Sequence, residues 1–129
     1  MTSPTPIVMR FVVLEHDHPR GLHWDFMLES AGVLKTWALS QPPEPGTEQS
    51  ARALGDHRIA YLDYEGPLSA DPLSGDRGTV SQWDAGQCVW LLQSAQEMEV
   101  ALTGRRLIGR ARLLRLENTE DEWRIKLTG

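Results

Sequence analysis

The chain has 129 residues and a formal charge of −5, from 13 Lys and Arg against 18 Asp and Glu, with 40% apolar residues; that is one globular domain, 1–129, and it excludes disorder, collagen-like repeats and coiled coils. No stretch approaches the roughly eighteen consecutive apolar residues of a membrane helix, Met1–Pro6 lacks the basic start and apolar core of a signal peptide, and the lone Cys88 cannot close an internal disulfide, so a cytoplasmic protein with no membrane partner is expected. The acidic balance argues against a domain that coats nucleic acid by charge alone, since that mode needs a basic stripe.

Pro and Gly punctuate the sequence about every ten residues, and the apolar runs between them are short and often alternate. This pattern predicts a compact, mostly β domain with long loops and little helix. In chain order, the expected strands are Ile7–Leu14, Leu22–Leu28, Val33–Leu39, a stretch near Thr79–Trp83, Val89–Gln93, Met98–Leu102, Leu107–Leu116 and Glu122–Leu127. Gly32, Gly86, Gly104 and Gly109 fall at expected turns or bulges. The proline-rich segment Gln41–Ser50 and the stretch Gly66–Gly78 read as long loops, which on a β scaffold are common carriers of function. The charge is uneven along this order. Met1–Gly104 holds 6 basic and 14 acidic residues, Arg105–Gly129 holds 7 and 4, and Arg105–Leu116 has five arginines and no acid. A small basic face on an acidic body suits binding at one place.

The stretch Glu15–Glu29, EHDHPRGLHWDFMLE, carries the chemistry. Alternation over Leu22–Glu29 sets Leu22, Trp24, Phe26 and Leu28 on one face and His23, Asp25, Met27 and Glu29 on the other. Neighbours two apart on a strand lie roughly 6.5 Å apart at the backbone, so His23 and Asp25 can converge on one ion. A reversal over Asp17–Gly21 brings His16 alongside. Two imidazoles and a carboxylate make a three-ligand set with open positions, suited to Mn²⁺, Zn²⁺ or Fe²⁺. The same spacing also fits hydrogen-bonded histidines of an ordinary hairpin. Met27 either floors such a site or belongs to the core.

His57 and Tyr61 are candidate hydrogen-bond donors to an oxyanion, and Arg58 a candidate source of charge, although taken alone the segment reads more readily as a polar strand edge. No Gly-x-Ser-x-Gly, phosphate-binding glycine loop or Cys-x-x-Cys competes. Cys88 reads as a small buried residue, and the five tryptophans as parts of a shared core. Arg106, Arg110 and Arg112 fall on one strand face, either a nucleic-acid contact or a solvated surface.

These residues resemble a known family. FVVLEHD at Phe11–Asp17, LHWDFMLE at Leu22–Glu29 and GVLKTWA at Gly32–Ala38 are similar to the opening of the 3′-phosphoesterase domain of bacterial DNA ligase D. The likeness continues through Asp56-His57, Tyr61, Tyr64-Glu-Gly66, Gly78-Thr-Val, Trp83-Asp-x-Gly, the LxGxxLxGR of Leu102–Arg110 and Trp123-x-Ile-Lys126, covering Val8 to Leu127. The resemblance implies a small antiparallel β-barrel, here in stand-alone form, and a metal-dependent enzyme that removes a 3′-phosphate or 3′-ribonucleoside from nucleic-acid ends. It places His16, His23 and Asp25 on metal ligands, with Mn²⁺ the usual ion, His57 on a phosphate contact and Tyr61 on an active-site tyrosine.

Two positions depart from that pattern. Met27 stands where the family has a phosphate-gripping arginine, and Leu14 where it has a glutamine near the metal. Arg10, Arg20, Arg58 and Arg77 are candidates to compensate. The alternative function is therefore a non-catalytic module that binds a metal or a nucleic-acid end and docks with a separate end-joining polymerase or ligase.

Overall fold

The computed structural model describes residues 7–73 and 75–129. Met1–Pro6, within the expected single domain, and Ser74, within the second expected loop, lie outside the described residues. The strands are β1 (Val8–His18), β2 (Gly21–Ser30), β3 (Val33–Leu39), β4 (Glu48–Ala53), β5 (His57–Arg58), β6 (Gly66–Pro67), β7 (Thr79–Gln93), β8 (Glu97–Gly104), β9 (Ile108–Arg115) and β10 (Glu122–Thr128), with one 3₁₀ turn at Ile59–Leu62. The sheet runs β1-β2-β3-β4-β10-β9-β8-β7, and β7 pairs antiparallel with β1 to close an eight-stranded barrel. The antiparallel barrel expected from the sequence is present.

Closure gives β1, β2 and β3 two buried faces. Inward-facing Phe11, Val13, Phe26, Leu28, Trp37 and Leu39 fill the barrel together with Val100, Leu113 and Ile125. Outward-facing Val12, Leu14, Met27 and Leu34 form a second cluster with Leu62 and Val80, against which Tyr61 and Leu68 pack. The 3₁₀ turn that covers this outer wall is tied down at its end, where the guanidinium of Arg10 holds Asp63 at 2.5 and 3.2 Å. All five tryptophans serve the inner core: Trp37 and Trp123 meet edge to face at 5.7 Å, and Trp24, Trp83 and Trp90 pack around them.

Several boundaries differ from the sequence reading. The proline-rich loop ends early, because Glu48–Ala53 forms β4 between β3 and β10, with Ala51 turned into the core. The two expected strands within Thr79–Gln93 are one strand of 15 residues. Gly86 and Gly109 sit inside strands rather than at turns or bulges. A Cβ on Gly86 would lie 2.1 Å from the Thr103 carbonyl oxygen and one on Gly109 2.0 Å from that of Thr128, so each marks a close backbone approach. β9 starts at Ile108, not Leu107. Asp84, fully buried on β7, accepts the backbone N–H of Arg105, Arg106 and Leu107 at 2.8–3.1 Å and so holds these residues in a turn.

Candidate functional site

The two-residue turn Pro19–Arg20 joins β1 to β2 and sets His16 directly opposite His23, with Leu14 opposite Asp25. The even-numbered side chains of β1 and the odd-numbered side chains of β2 therefore share the outer wall. His16, His23 and Asp25 come together there: their rings and carboxylate offer ligand atoms that all lie within 4.8 Å of one another. The imidazoles of His16 and His23 are 4.4 Å apart.

The hydrogen bonds assign a tautomer. His16 Nε2 lies 2.6 Å from the carbonyl oxygen of Arg77, an acceptor only, so Nε2 carries the proton. In the neutral ring, Nδ1 then presents a lone pair to Asp25 Oδ2 at 3.1 Å. Two lone pairs at that distance repel unless a proton or a cation lies between them. A proton is favoured there, because the bond to Asp25, foremost, raises the His16 pKa against the opposing effect of burial. Burial is the largest single influence on Asp25 and pushes its pKa up, but bonds and charge from His16 and His23 outweigh it and hold the carboxyl below its ordinary range. Asp25 Oδ1 is buried with no well-formed hydrogen bond, although His23 Nε2 is 3.1 Å away. A buried carboxylate oxygen with no such bond, beside two imidazoles, one of them steered by a backbone carbonyl, fits a divalent cation.

Beside this cluster is a cleft of about 200 Å³ lined by His16, Asp25, His57, Tyr61 and Arg77 over apolar Leu14, Met27, Leu68 and Val80. β5 pairs with the start of β3, bringing His57 opposite Leu34 and into the cleft. His57 donates Nδ1–H to the Gly55 carbonyl at 2.7 Å, which leaves Nε2 for a ligand, and its ring meets Tyr61 edge to face at 5.8 Å. The structure thus brings together in one place the His57 and Tyr61 that sequence spacing could not relate to His16. Met27 and Leu14, 1% and 0% exposed, are members of the outer apolar cluster as well as of the cleft wall.

The arginines part company. Arg77 lines the cleft, with Nε donating to Ser69 O at 2.5 Å. Arg58 faces the neighbouring groove, Arg10 is engaged by Asp63, and Arg20 forms part of the β1–β2 turn. Arg106, Arg110 and Arg112 do not form one face. Arg106 sits in the β8–β9 turn over the Trp83 ring at 4.6 Å, while Arg110 and Arg112 pair with Glu99 and Glu97 of β8.

Sequence reasoning left His18 without a role and did not single out Arg77 among the four candidate arginines. His18 lines the cleft two residues beyond His16, where strand periodicity alone would place it. It accepts the N–H of Arg20 at Nδ1, so its neutral ring carries the proton on Nε2. Arg77 had no local signal, since its placement depends on Gly78. With φ at 78°, Gly78 packs where a Cβ would be 1.9 Å from Asp17 O, and this contact seats the loop against β1.

A closed antiparallel barrel bearing a two-histidine, one-carboxylate cluster on its outer wall defines a class of small domain with a candidate metal-binding cleft. Within that class the assignment is specific, because a sequence model described as the DNA Ligase D 3'-phosphoesterase domain matches residues 14–115. The chain belongs to this family. It is 34% identical over 125 residues to the multifunctional non-homologous end joining protein LigD of Pseudomonas aeruginosa, covering 90% of this chain and 14% of that protein. It is 33% identical over 119 residues to the multifunctional non-homologous end joining DNA repair protein LigD of Mycobacterium tuberculosis, covering 88% and 15%. The chain thus spans about one seventh of the length of these relatives. Among the described residues, no helix is long and apolar enough to cross a membrane.

Proposed function

We propose that the protein is a metal-dependent phosphoesterase that trims nucleic-acid 3′ ends, removing a terminal 3′-phosphate or 3′-ribonucleoside. The observation that carries this reading is the His16 tautomer: with Nε2–H committed to Arg77 O, Nδ1 and Asp25 face each other as donors to a cation, at the edge of a cleft that also holds His57 and Tyr61. His16, His23 and Asp25 would hold the ion, Mn²⁺ by family resemblance, and Zn²⁺ or another divalent ion by donor chemistry. When bound, a divalent ion supplies Lewis acidity toward a phosphate oxygen.

The remaining steps belong to the chain's own groups. Asp25 and the two histidines would keep the cation at the edge of the cleft. His57, oriented by Gly55 O, turns Nε2 toward the phosphate or the leaving oxygen and, as the imidazolium, donates a proton there. Tyr61 contributes a hydroxyl donor to the developing charge. Arg77 provides a cation in place of the one missing at Met27.

The apolar floor made by Leu14 and Met27 favours a second reading, an end-binding module without turnover that works beside a separate polymerase or ligase. Phosphate release from an oligonucleotide with a 3′-phosphate, in the presence of Mn²⁺, decides between the two. Metal-dependent release is expected. Metal binding with no release in any divalent ion would overturn the enzyme and leave the binding module.

A further inference from the structure

A groove of about 230 Å³ runs on from the cleft and shares Tyr61, Leu68 and Arg77 with it. Its own lining adds Arg58 and Tyr64. Tyr61 and Tyr64 meet edge to face at 6.0 Å, and Tyr64 is 38% exposed, so an aromatic surface stands open to solvent. The Tyr64 hydroxyl is fixed by donation to Pro67 O, which holds the ring in place on the β6 side.

The electrostatics of this groove differ from those of the acidic body around it. The acids that flank Arg58 in sequence are each engaged elsewhere: Asp56 by Lys35 at 3.3 Å, Asp63 by Arg10 at 2.5 Å, and Glu65 by the backbone N–H of Gln82 at 2.8 Å. Arg58 has no ion-pair partner among the described residues. Among the described residues, the Arg77 side chain bonds only a backbone carbonyl. Two guanidinium groups without carboxylate partners therefore face one groove beside an aromatic ring, inside a protein of net charge −5. Paired cations and an open aromatic face are the recognition chemistry of a nucleotide, phosphate on one and base on the other.

We propose that this groove is a subsite for the nucleotide on the 5′ side of the processed end, with its base against Tyr64 and its backbone phosphate between Arg58 and Arg77. The subsite rests on the end-processing reading of the adjacent cleft. Its ligand is a strand, not an isolated mononucleotide, so the protein discriminates by length at the 3′ end.

Binding tests this independently of catalysis. Fluorescence anisotropy would measure a 5′-labelled hexanucleotide ending in a 3′-phosphate, and competition would measure a nucleoside 3′-monophosphate. The wild-type protein should prefer the hexanucleotide by tenfold or more, since a stacked base and a charge-assisted phosphate bond each contribute about that much. Arg58→Gln and Tyr64→Ala should each shrink the preference by about tenfold; the first changes an exposed side chain and keeps the fold, as a melting curve would verify. A preference that survives both substitutions, or no preference in the wild type, would overturn the subsite. Failure of the end-processing reading appears separately, as absence of phosphate release by the wild type whatever the binding result.

Discussion

His16 gives its Nε2 proton to the main-chain oxygen of Arg77 across 2.6 Å, so a loop 61 residues downstream chooses which nitrogen of His16 faces Asp25. The edge proposed to bind a cation is therefore a joint property of the β1–β2 hairpin and the loop before β7. Removing either His16 or Asp25 should remove the ion. Titration calorimetry with Mn²⁺ should show binding to the wild type and none to His16→Ala or Asp25→Ala, and both variants should lose phosphate release by a hundredfold or more. At an ion concentration of about 100 Kd, the wild type should gain roughly 2.7 kcal/mol, on the order of 10 °C in Tm, and the variants nothing. Undiminished turnover in either variant would contradict the ligand assignment.

Gly78 separates position from stability. A Cβ there would lie 1.9 Å from Asp17 O, and its φ of 78° is unfavourable for any side chain. Gly78→Ala should push the loop away from β1, free His16 Nε2, and lower kcat/KM by tenfold or more. Because the loop is exposed, the melting temperature should fall by only a few degrees. Kinetics on the 3′-phosphate substrate alongside a thermal melt would check both halves, and unaltered kinetics would show that the carbonyl of Arg77 does not position His16.

Met27 sets two effects against each other. It is 1% exposed among Val12, Leu14, Leu34, Leu62 and Val80, so Met27→Arg forfeits apolar packing worth about 2 kcal/mol. The residue also lines the cleft, where a guanidinium can reach a phosphate. We expect a lower unfolding midpoint in urea together with about tenfold higher kcat/KM, since a charge-assisted bond contributes roughly 1.5–3 kcal/mol. A stable variant with no kinetic gain would show that phosphate grip is not what limits this site.

Asp84 bears on the barrel rather than the chemistry. Its carboxylate accepts the backbone N–H groups of Ala85, Arg105, Arg106 and Leu107. Asp84→Asn turns one acceptor into a donor aimed at those amides and should destabilise by about 3 kcal/mol in urea unfolding. Mn²⁺ binding under native conditions should persist, and its loss would place Asp84 in the site's support.

Cys88 is 1% exposed, and burial, assisted by the charge of Glu29, pushes its thiol up to about 12. At pH 8 it should resist a thiol reagent in the native protein and react within minutes once unfolded. The sign follows from linkage. The raised folded pKa contributes stability that is complete below the unfolded value of about 8.5 and is lost as pH rises toward 12. Rapid native-state labelling would refute the burial argument.

The sequence reveals the hairpin chemistry because it is local. Strand periodicity and a short reversal suffice to put His16, His23 and Asp25 together, and the same rule extended to His18 places it beside them. Periodicity is silent about the rest. β4 escapes notice because Glu48–Ala53 has no β-branched residue and is a strand only through its pairing with β3 and β10. The Arg106, Arg110, Arg112 row is legible as alternation, but Asp84 captures the turn and the acids of β8 pair the last two arginines. Arg77 and His57 reach the cleft through long-range contacts with β1 and β3, which no spacing along the chain encodes.

The two-residue connection at Pro19–Arg20 makes loop length a determinant of chemistry. An extra residue there that was absorbed by the pairing, not by a wider loop, would slide β2 by a single step against β1, and every side chain on β2 would exchange sides. His23 and Asp25 would be turned toward a hydrocarbon interior, and Trp24 and Phe26 toward the ligand. The hairpin can drift in composition at its tip, but a change of register there, harmless in most surface turns, would erase the proposed ion-binding edge at a stroke.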